Sequence, residues 1–354
     1  MWRLLEVLLS NPAGSLKFLY SFSTQSVLIC LKFCFLPYLP HYQSFRQQLQ
    51  RAYMSSASLH HFPIIHRLPV IRCPEERARP IGTDWKAYVI PGTKTFKSVA
   101  ESPRTCVAIY AHGGGYARGE ARMYLNYMER WQNKFLQQGL ELVFVSVEYH
   151  VASHPAQLHA FLDTYKHVLG QGVPPSQIIF MGDSAGGLCS DNQWVVAGCC
   201  VLASLKLEIL DLPQPAAGIL MSPWFDMASN SFQGGNALVE TDYVTTANTG
   251  VPLFAKWWLG DHDPRSPDVN PLYCSVEQFK KLPPQLILVG GGDFVLPECR
   301  DLSRMFAKAG LRHEMVVERG EFHLYALGSN WTKRETRDRT DKYILGWMKN
   351  ALQV

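Results

Sequence analysis

The 354-residue chain lacks the cysteine spacings that bind metal ions or form disulfide frameworks. Its nine cysteines are scattered, apart from the adjacent pair Cys199 and Cys200, and neither a C-x-x-C motif nor a paired cysteine and histidine set occurs. Zinc sites and disulfide scaffolds both need such regular spacings. We therefore expect reduced, mostly buried thiols, and a protein that needs neither a metal nor another cofactor.

A strong charge of either sign is also missing. The formal net charge is +4, charged residues make up 18% of the chain and hydrophobic residues 47%. So small a net charge does not indicate a nucleic-acid partner. Internal repeats and low-complexity tracts are absent, and the length and hydrophobic content favour one large globular domain, with or without a lid.

The N-terminal part has almost no acids. Residues 1–72 contain seven lysines and arginines but one acid, Glu6, so they carry +6 and the rest of the chain −2. Lys17, Lys32 and small polar residues also interrupt every apolar run before it reaches the roughly 18–20 residues of a spanning helix. Three interpretations of residues 1–40 remain open: a signal-anchor with snorkelling lysines, an interfacial helix, or helices packed on the domain as part of a cap.

A serine between glycines is the first feature of the sequence that indicates a catalytic function. The stretch QIIFMGDSAGGLCSD starts as an apolar run and then places Ser184 among Gly182, Gly186 and Gly187. The run predicts a buried strand, and the glycines predict a turn too tight for side chains. A strand, a sharp turn with a serine and a helix form the nucleophile elbow, in which the helix N-terminus faces the hydroxyl.

Six apolar segments alternate with helical patterns: TCVAIYA, LELVFVSV, QIIFM, AAGILM, PPQLILVG and HEMVVE. A helix before the third segment has one apolar face, made of Leu158, Phe161, Leu162, Tyr165 and Leu169, and KYILGWMKNAL predicts a closing helix. This alternation predicts an α/β fold with a mostly parallel sheet flanked by helices. Ligands bind at the carboxyl ends of such strands, and the residues that follow these ends include His112, Ser184, Asp293 and His323.

These residues supply the parts of a serine hydrolase, which needs a nucleophile, a base and an acid that orients the base. Ser184 is the candidate nucleophile, His323 in GEFHLYAL the base, and Asp293, directly after LILVGGG, the acid. The order serine, aspartate, histidine along the chain is that of the α/β-hydrolase fold.

The loop HGGGY is the candidate oxyanion loop. Gly114 and Gly115 would present backbone N–H groups to the oxyanion, and the N–H of Ala185 would add a third donor. His112 and Gly113 complete the motif, and we expect His112 to brace the loop rather than to take part in the chemistry.

Other acids compete for the role of Asp293. Glu298 lies only five residues further on and is the main alternative. We interpret Asp183 as a structural neighbour of the elbow, and Asp226 in SPWFDM as a brace within its loop.

The motifs AHGGGY, EYHVASHPAQ, GDSAGGL, SPWFDM, LPPQLILVGGGD and EFHLYAL together resemble the hormone-sensitive-lipase-like carboxylesterases, over roughly residues 100–350. The resemblance implies an α/β-hydrolase fold with a helical cap. It implies the same triad, Ser184, Asp293 and His323, and the same donors, Gly114, Gly115 and Ala185. Relatives that became hormone receptors lost the catalytic histidine, whereas this chain keeps it.

Three segments depart from the family pattern. The chain reads YHVASHPA where the family often has Y-R-L-A-P-E, and SDNQW makes the helix after the elbow unusually polar. The acid is followed by FVLPE instead of the frequent P-L-x-D, which keeps Glu298 open as an alternative acid.

The resemblance also implies a cap built from about residues 41–100 and 225–275, within a hydrolase domain that covers 41–354. The second range is rich in apolar side chains that either line a substrate pocket or pack the cap on the core: Tyr243, Val251, Leu253, Phe254, Trp257 and Trp258.

We expect a serine esterase that cleaves carboxylic esters of a lipophilic small molecule through an acyl-enzyme. The same triad would serve an acyltransferase or a lactone-forming cyclase of secondary metabolism, and a third hypothesis is a non-catalytic small-molecule binder. The basic, apolar N-terminus favours association with an endomembrane, with the cytoplasm as the alternative location.

Overall fold

The computed structural model describes residues 2–36, 42–61, 63–66, 73–114, 119–149, 156–184, 199–233, 235–244 and 247–353. Gly115, Ala185 and the SDNQW segment, which the sequence singled out, lie outside these ranges.

The described residues form one eight-stranded sheet. Its strands are β1 (Arg79–Ile81), β2 (Lys86–Ile90), β3 (Thr105–Ala111), β4 (Glu141–Glu148), β5 (Ile178–Asp183), β6 (Ala217–Met221), β7 (Gln285–Gly290) and β8 (His313–Glu318). They are ordered β1-β2-β4-β3-β5-β6-β7-β8. The pairs from β4 to β8 are parallel, whereas β1 and β2 pair antiparallel at one edge. The six strands predicted from apolar runs are confirmed, as is the predicted α/β fold.

Four helices precede the sheet: α1 (Trp2–Ser10), α2 (Pro12–Phe35), α3 (Phe45–His60) and α4 (Pro63–His66). They pack on one another through a small apolar cluster of Val7, Phe18, Ala57 and Ile64. The helix α2 is long and apolar enough to cross a membrane by length and composition.

Helices cover both faces of the sheet, which is why its central strands are buried along their whole length. The remaining helices are α5 (Phe96–Ala100), α6 (Leu125–Leu136), α7 (Ala156–Gly170), α8 (Cys199–Ile209), α9 (Ala247–Leu259), α10 (Val276–Phe279), α11 (Leu296–Lys308) and α12 (Arg334–Leu352). One face carries α6 and α12, and the other carries α7, α8 and α11.

Aromatic packing fixes the central strand β5. The ring of Phe180 is fully buried and meets the rings of Phe161 and Tyr165 of α7 edge-on, with centroids 4.8 and 5.0 Å away. Such pairs contribute about 0.5–1.5 kcal/mol each beyond the burial of their area. The strand that ends next to Ser184 is therefore held on a rigid support.

The assignment of residues 41–100 to a cap needs a correction. Strands β1 and β2 lie within this range, and β2 pairs along its whole length with β4, so residues 79–90 extend the sheet. The segment between β6 and β7 contains α9 and short 3-10 helices at Asn230–Phe232, Ala237–Thr241 and Pro271–Tyr273. Further 3-10 turns occur at Pro175–Gln177 and Tyr325–Leu327.

Candidate active site

The elbow is a point of backbone strain. Ser184 follows β5 directly and has φ 46°, a left-handed value that is unusual for a residue with a side chain. Its N–H donates to the carbonyl of Met221 at 3.1 Å, and its own carbonyl accepts from the N–H of Trp224 at 3.3 Å. These two bonds to the loop after β6 hold the turn, so that the side chain leaves the strand end toward His323.

Ser184, His323 and Asp293 form a hydrogen-bonded chain. The Nε2 atom of His323 lies 2.7 Å from Oγ of Ser184, and its Nδ1 atom lies 2.9 Å from Oδ1 of Asp293. All three residues are buried, and Asp293 is fully so. The N–H of Val295 donates to the same Oδ1 at 3.1 Å, which fixes the carboxylate. This geometry can pass a proton from serine to imidazole while the carboxylate keeps the imidazole in one tautomer.

Burial and charge act in opposite directions on His323. Burial by itself lowers the pKa of the imidazole, but the negative charge of Asp293 and the hydrogen bond to it raise the pKa above its usual value. Asp242 and Asp183 raise it further. A base in this setting accepts a proton from a hydroxyl more readily than an unpaired buried histidine does.

Asp183 holds the start of the loop that the sequence predicts as the oxyanion loop. Its Oδ1 atom accepts from the Tyr110 hydroxyl at 2.6 Å and from the N–H of Gly113 at 3.0 Å, and its Oδ2 atom accepts from the Tyr124 hydroxyl at 3.0 Å. A Cβ at Gly113 would stand 2.2 Å from Oδ2 of Asp183, so only glycine fits there. Gly114 follows with φ 144°. The N–H of Gly113 is thus taken by Asp183.

His112 packs against this loop. Its ring stacks on Tyr149 with centroids 4.2 Å apart, and its Nδ1 atom lies 2.9 Å from the carbonyl of Gly113. Burial lowers the pKa of His112 to about 4, so its ring is neutral at physiological pH. These contacts suit a residue that holds the loop.

Glu298 lies away from the histidine. It is buried in the first turn of α11, and its two carboxyl oxygens accept from the N–H groups of Phe225 and Asp226, both at 3.2 Å. Asp226 in turn binds Asn230 and Asn270. Glu298 and Asp226 therefore fasten the loop after β6, while Asp293 contacts His323.

The sequence reasoning missed Asp242. This fully buried carboxylate accepts from the N–H of Tyr243 at 2.6 Å and from the N–H of Phe294 at 2.9 Å. Burial and the neighbouring charge of Asp293 raise its pKa to about 7. Asp242 and Asp293 are 51 positions apart and share no motif, so only the folded chain brings them together.

Asp242 joins the segment between β6 and β7 to the loop that carries the acid. The rings of Tyr243 and Phe294, whose N–H groups it accepts, flank His323 with centroids 6.0 and 4.8 Å from the imidazole. Thr241 adds a hydrogen bond from its hydroxyl to the carbonyl of Gly292 at 2.9 Å. The segment thus encloses the histidine with two aromatic rings.

One group of described residues has the donor spacing of a metal site. Ligand atoms of Asp242, Asp293 and His323 lie within 4.8 Å of one another. The contact between His323 and Asp293 explains two of the three positions, because it orients the imidazole toward Ser184. The third residue, Asp242, accepts from the backbone N–H groups of Tyr243 and Phe294.

Of the apolar residues predicted for the second cap range, the described ones include two that are buried, Tyr243 beside His323 and Val251 in the main core cluster. Leu253 is exposed. The side chains of Phe254, Trp257 and Trp258 lie outside the described part of the chain.

A family model described as alpha/beta hydrolase fold matches residues 108–327. The chain belongs to this family. It is 28% identical over 205 residues to an acetyl-hydrolase of Streptomyces hygroscopicus, which covers 57% of this chain and 62% of the relative. It is 24% identical over 250 residues to an esterase of Acinetobacter venetianus, covering 68% and 75% of the two chains. The chain thus spans less than two thirds of the Streptomyces relative.

Solved structures support the same fold. An esterase/lipase from an uncultured bacterium superposes with a TM-score of 0.63 at 18% identity, covering 94% of this chain and 99% of that one. An esterase from the bacterial hormone-sensitive lipase family gives a TM-score of 0.62 at 22% identity, with 94% and 98% covered. The resemblance to hormone-sensitive-lipase-like esterases is confirmed, and the expectation of an ester-hydrolysing enzyme agrees with the names of these proteins.

Proposed function

We propose that the protein is a serine carboxylic-ester hydrolase that works through an acyl-enzyme. The observation that carries the proposal is the contact of 2.7 Å between Oγ of Ser184 and Nε2 of His323, with Asp293 bonded to the far side of the imidazole. A hydroxyl, a base and an orienting carboxylate in this arrangement perform acyl transfer on several unrelated folds.

In the proposed first step, Oγ of Ser184 attacks the ester carbonyl carbon and its proton moves to Nε2 of His323. The carbonyl oxygen becomes an oxyanion, which backbone N–H groups of Gly114, Gly115 and Ala185 stabilise. When the tetrahedral intermediate collapses, the bond to the alcohol oxygen breaks and His323 gives its proton to the leaving alcohol. Water, deprotonated by His323, then attacks the acyl-enzyme and releases the acid.

The proposed substrate is a lipophilic ester with a short acyl group. The name acetyl-hydrolase of the Streptomyces relative favours a short acyl group. The aromatic rings of Tyr243 and Phe294 around His323 favour an apolar ester.

A series of 4-nitrophenyl esters with acyl chains from acetate to palmitate tests this function. We expect kcat/KM to be highest for the short chains, and Ser184→Ala to abolish turnover throughout. If the purified wild-type protein hydrolyses no ester but binds one, the protein is a binder on this fold. If added alcohol diverts most of the acyl group from water into a new ester, the enzyme is an acyltransferase.

We also propose that the N-terminal helices bind a membrane surface. The outward face of α2 exposes large apolar side chains that no described residue covers: Leu16, Tyr20, Val27, Leu28 and Phe35 are 57 to 77% exposed. Exposed apolar patches on this scale are unusual for a protein that meets only water. Lys17 and Lys32 are exposed on the same helix and suit anionic headgroups.

The opposite face of α2 supports an interfacial helix over a spanning one. The hydroxyls of Ser21 on α2 and Ser56 on α3 lie 2.9 Å apart, and Gln25 donates to Ser56 at 3.0 Å. A helix that crossed a bilayer would give up these bonds and the packing of Phe18 on Tyr53. The proposed location is therefore the surface of an endomembrane, with α2 lying flat.

A further inference from the structure

A cavity of about 340 Å³ opens beside His323. Its wall is formed by α3, by α6 together with Met123, and by Phe322–Trp331, the segment that carries the histidine. This volume is at the lower end of the range of about 300–1,000 Å³ for small-molecule pockets. We call it the His323 cavity.

The position of this cavity relative to the triad indicates which half of an ester it could hold. Among the described residues its wall includes His323 and Leu324, but neither Ser184 nor His112–Gly114 of the oxyanion loop. In ester hydrolysis, the group that receives a proton from the histidine is the oxygen of the leaving alcohol. That oxygen must lie within hydrogen-bond distance of Nε2 of His323, so the alcohol half of the ester lies at the histidine end of the triad.

We infer that the His323 cavity binds the alcohol half of the substrate, and that this half is an uncharged alcohol with an aromatic or other flat ring system. The inference rests on the proposed ester hydrolysis. It goes further by assigning the alcohol half of the ester to this cavity.

The wall of the cavity suits a ring. Tyr53 of α3 and Trp331 face each other with centroids 5.2 Å apart at an angle of 34°, and Tyr127 of α6 adds a third aromatic ring. Met54 supplies a flexible apolar side chain on the α3 side. Flat apolar groups gain from stacking on such rings in addition to their buried area.

The described residues of the wall carry no unpaired charge. Apart from the ionisable His323, its charged residue among the described ones is Arg130, which pairs with Asp341 at 3.0 Å. The same guanidinium donates to the carbonyls of Leu327 and Gly328. An alcohol that carries a carboxylate or a phosphate would therefore have no free cation among these described residues to pair with, whereas a neutral alcohol needs none.

Met54→Trp tests the inference, because a larger side chain at this wall position takes up part of the cavity while Ser184, Asp293 and His323 stay unchanged. The full-length variant is compared with wild type on two sets of esters: acetates of methanol, phenol and 1-naphthol, and 4-nitrophenyl esters from acetate to octanoate. The ratio of variant to wild-type kcat/KM for each substrate cancels the intrinsic reactivity of that ester. Ile209→Trp introduces the same side chain at a position 71% exposed on α8 and serves as the control.

We expect the ratio for 1-naphthyl acetate to fall at least about tenfold below the ratio for methyl acetate, with a flat response along the acyl set and no response in the control. A fall along the acyl set with a flat alcohol set would overturn the inference and assign the cavity to the acyl chain. A uniform ratio on both sets also contradicts it. Absence of hydrolysis of every ester by wild type would instead refute the proposed function.

Discussion

The carboxyl edge of the sheet and the outward face of α2 differ in the kind of side chain that each buries or exposes. At the sheet edge, carboxylates are fully buried and bonded to backbone N–H groups, as Asp183, Asp242 and Asp293 illustrate. On α2, large apolar side chains such as Tyr20 and Phe35 are 77% exposed. The sheet edge exposes little of these carboxylates and holds them in fixed positions, as a catalytic site requires. The outward face of α2 leaves apolar surface uncovered, which suits contact with a phase less polar than water.

The comparison implies that the two regions can be disrupted separately. In the proposed function, the sheet edge cleaves the ester and α2 brings the protein to the membrane surface. The aromatic contacts of Phe18 and Phe22 with Tyr53 are the link between them, because Tyr53 also lines the His323 cavity.

The largest effect is expected at the nucleophile. Ser184→Ala removes one hydroxyl and should lower kcat for 4-nitrophenyl acetate by about 10⁴–10⁶, because no other group can form the acyl-enzyme. Membrane binding and the thermal midpoint should stay near wild type. Turnover close to wild type would end the serine mechanism, and a loss of membrane binding would show that the two regions are coupled.

The acid gives the next largest effect. Asp293→Asn should lower kcat by about 10⁴, because the amide no longer fixes the imidazole tautomer. Glu298→Gln is the control, because Glu298 bonds to the backbone N–H groups of Phe225 and Asp226, whereas Asp293 bonds to His323. Steady-state kinetics of both variants decide the assignment. The reverse ranking would transfer the role to Glu298.

Charges on α2 should affect location without affecting chemistry. Leu16→Glu combined with Val27→Glu places two acids on the exposed face, and we expect at least a tenfold weaker flotation with phosphatidylcholine and phosphatidylserine vesicles. Turnover of 4-nitrophenyl acetate should not change. Leu136→Glu combined with Ile209→Glu, at sites 60 and 71% exposed on other helices, is the control.

Removal of residues 2–36 tests the membrane role of α1 and α2 by deleting both helices. We expect a protein that no longer floats and still cleaves small esters. Carbonate extraction of the full-length protein then separates an interfacial helix, which washes off, from a spanning one, which stays. A full-length protein without membrane affinity, combined with a truncation that unfolds, would make α2 part of the cap and nothing more.

The smallest effect is expected at Asp242. Its negative charge raises the pKa of His323, so Asp242→Asn should lower that pKa and move the acid limb of the kcat/KM profile to lower pH. The free energy of unfolding should fall by about 1–3 kcal/mol, because an amide cannot accept from the N–H groups of both Tyr243 and Phe294 equally well. Asp163→Asn on the surface of α7 is the control. An acid limb that stays or moves to higher pH would contradict the account.

Much of the site could be predicted because its residues follow directly from strand ends. Ser184 comes one residue after β5 and His112 one residue after β3, so the position of the strand fixes the position of the side chain. The two candidate acids, Asp293 and Glu298, can be distinguished only in the folded chain. Glu298 lies in the first turn of α11 and bonds to the N–H of Phe225, whereas Asp293 lies in the loop before this helix.

Other features depend on contacts that no local pattern carries. Asp242 reaches the triad through a long insertion, and its neighbours in sequence contain no catalytic motif. Strands β1 and β2 have only three and five residues, which is too short for a clear periodicity. The sequence also left the orientation of α2 open, because the buried residues Phe18 and Ile29 are no more apolar than the exposed residues of the same helix.

Trapping of the acyl-enzyme tests the central claim most directly. The wild-type protein is mixed with excess 4-nitrophenyl acetate, quenched in acid within the first turnover and digested for mass spectrometry. The account predicts one added acetyl group on the peptide that contains Ser184, a matching burst of 4-nitrophenol, and neither signal in Ser184→Ala. A burst with the acetyl group on another residue, or steady turnover in Ser184→Ala, would contradict it.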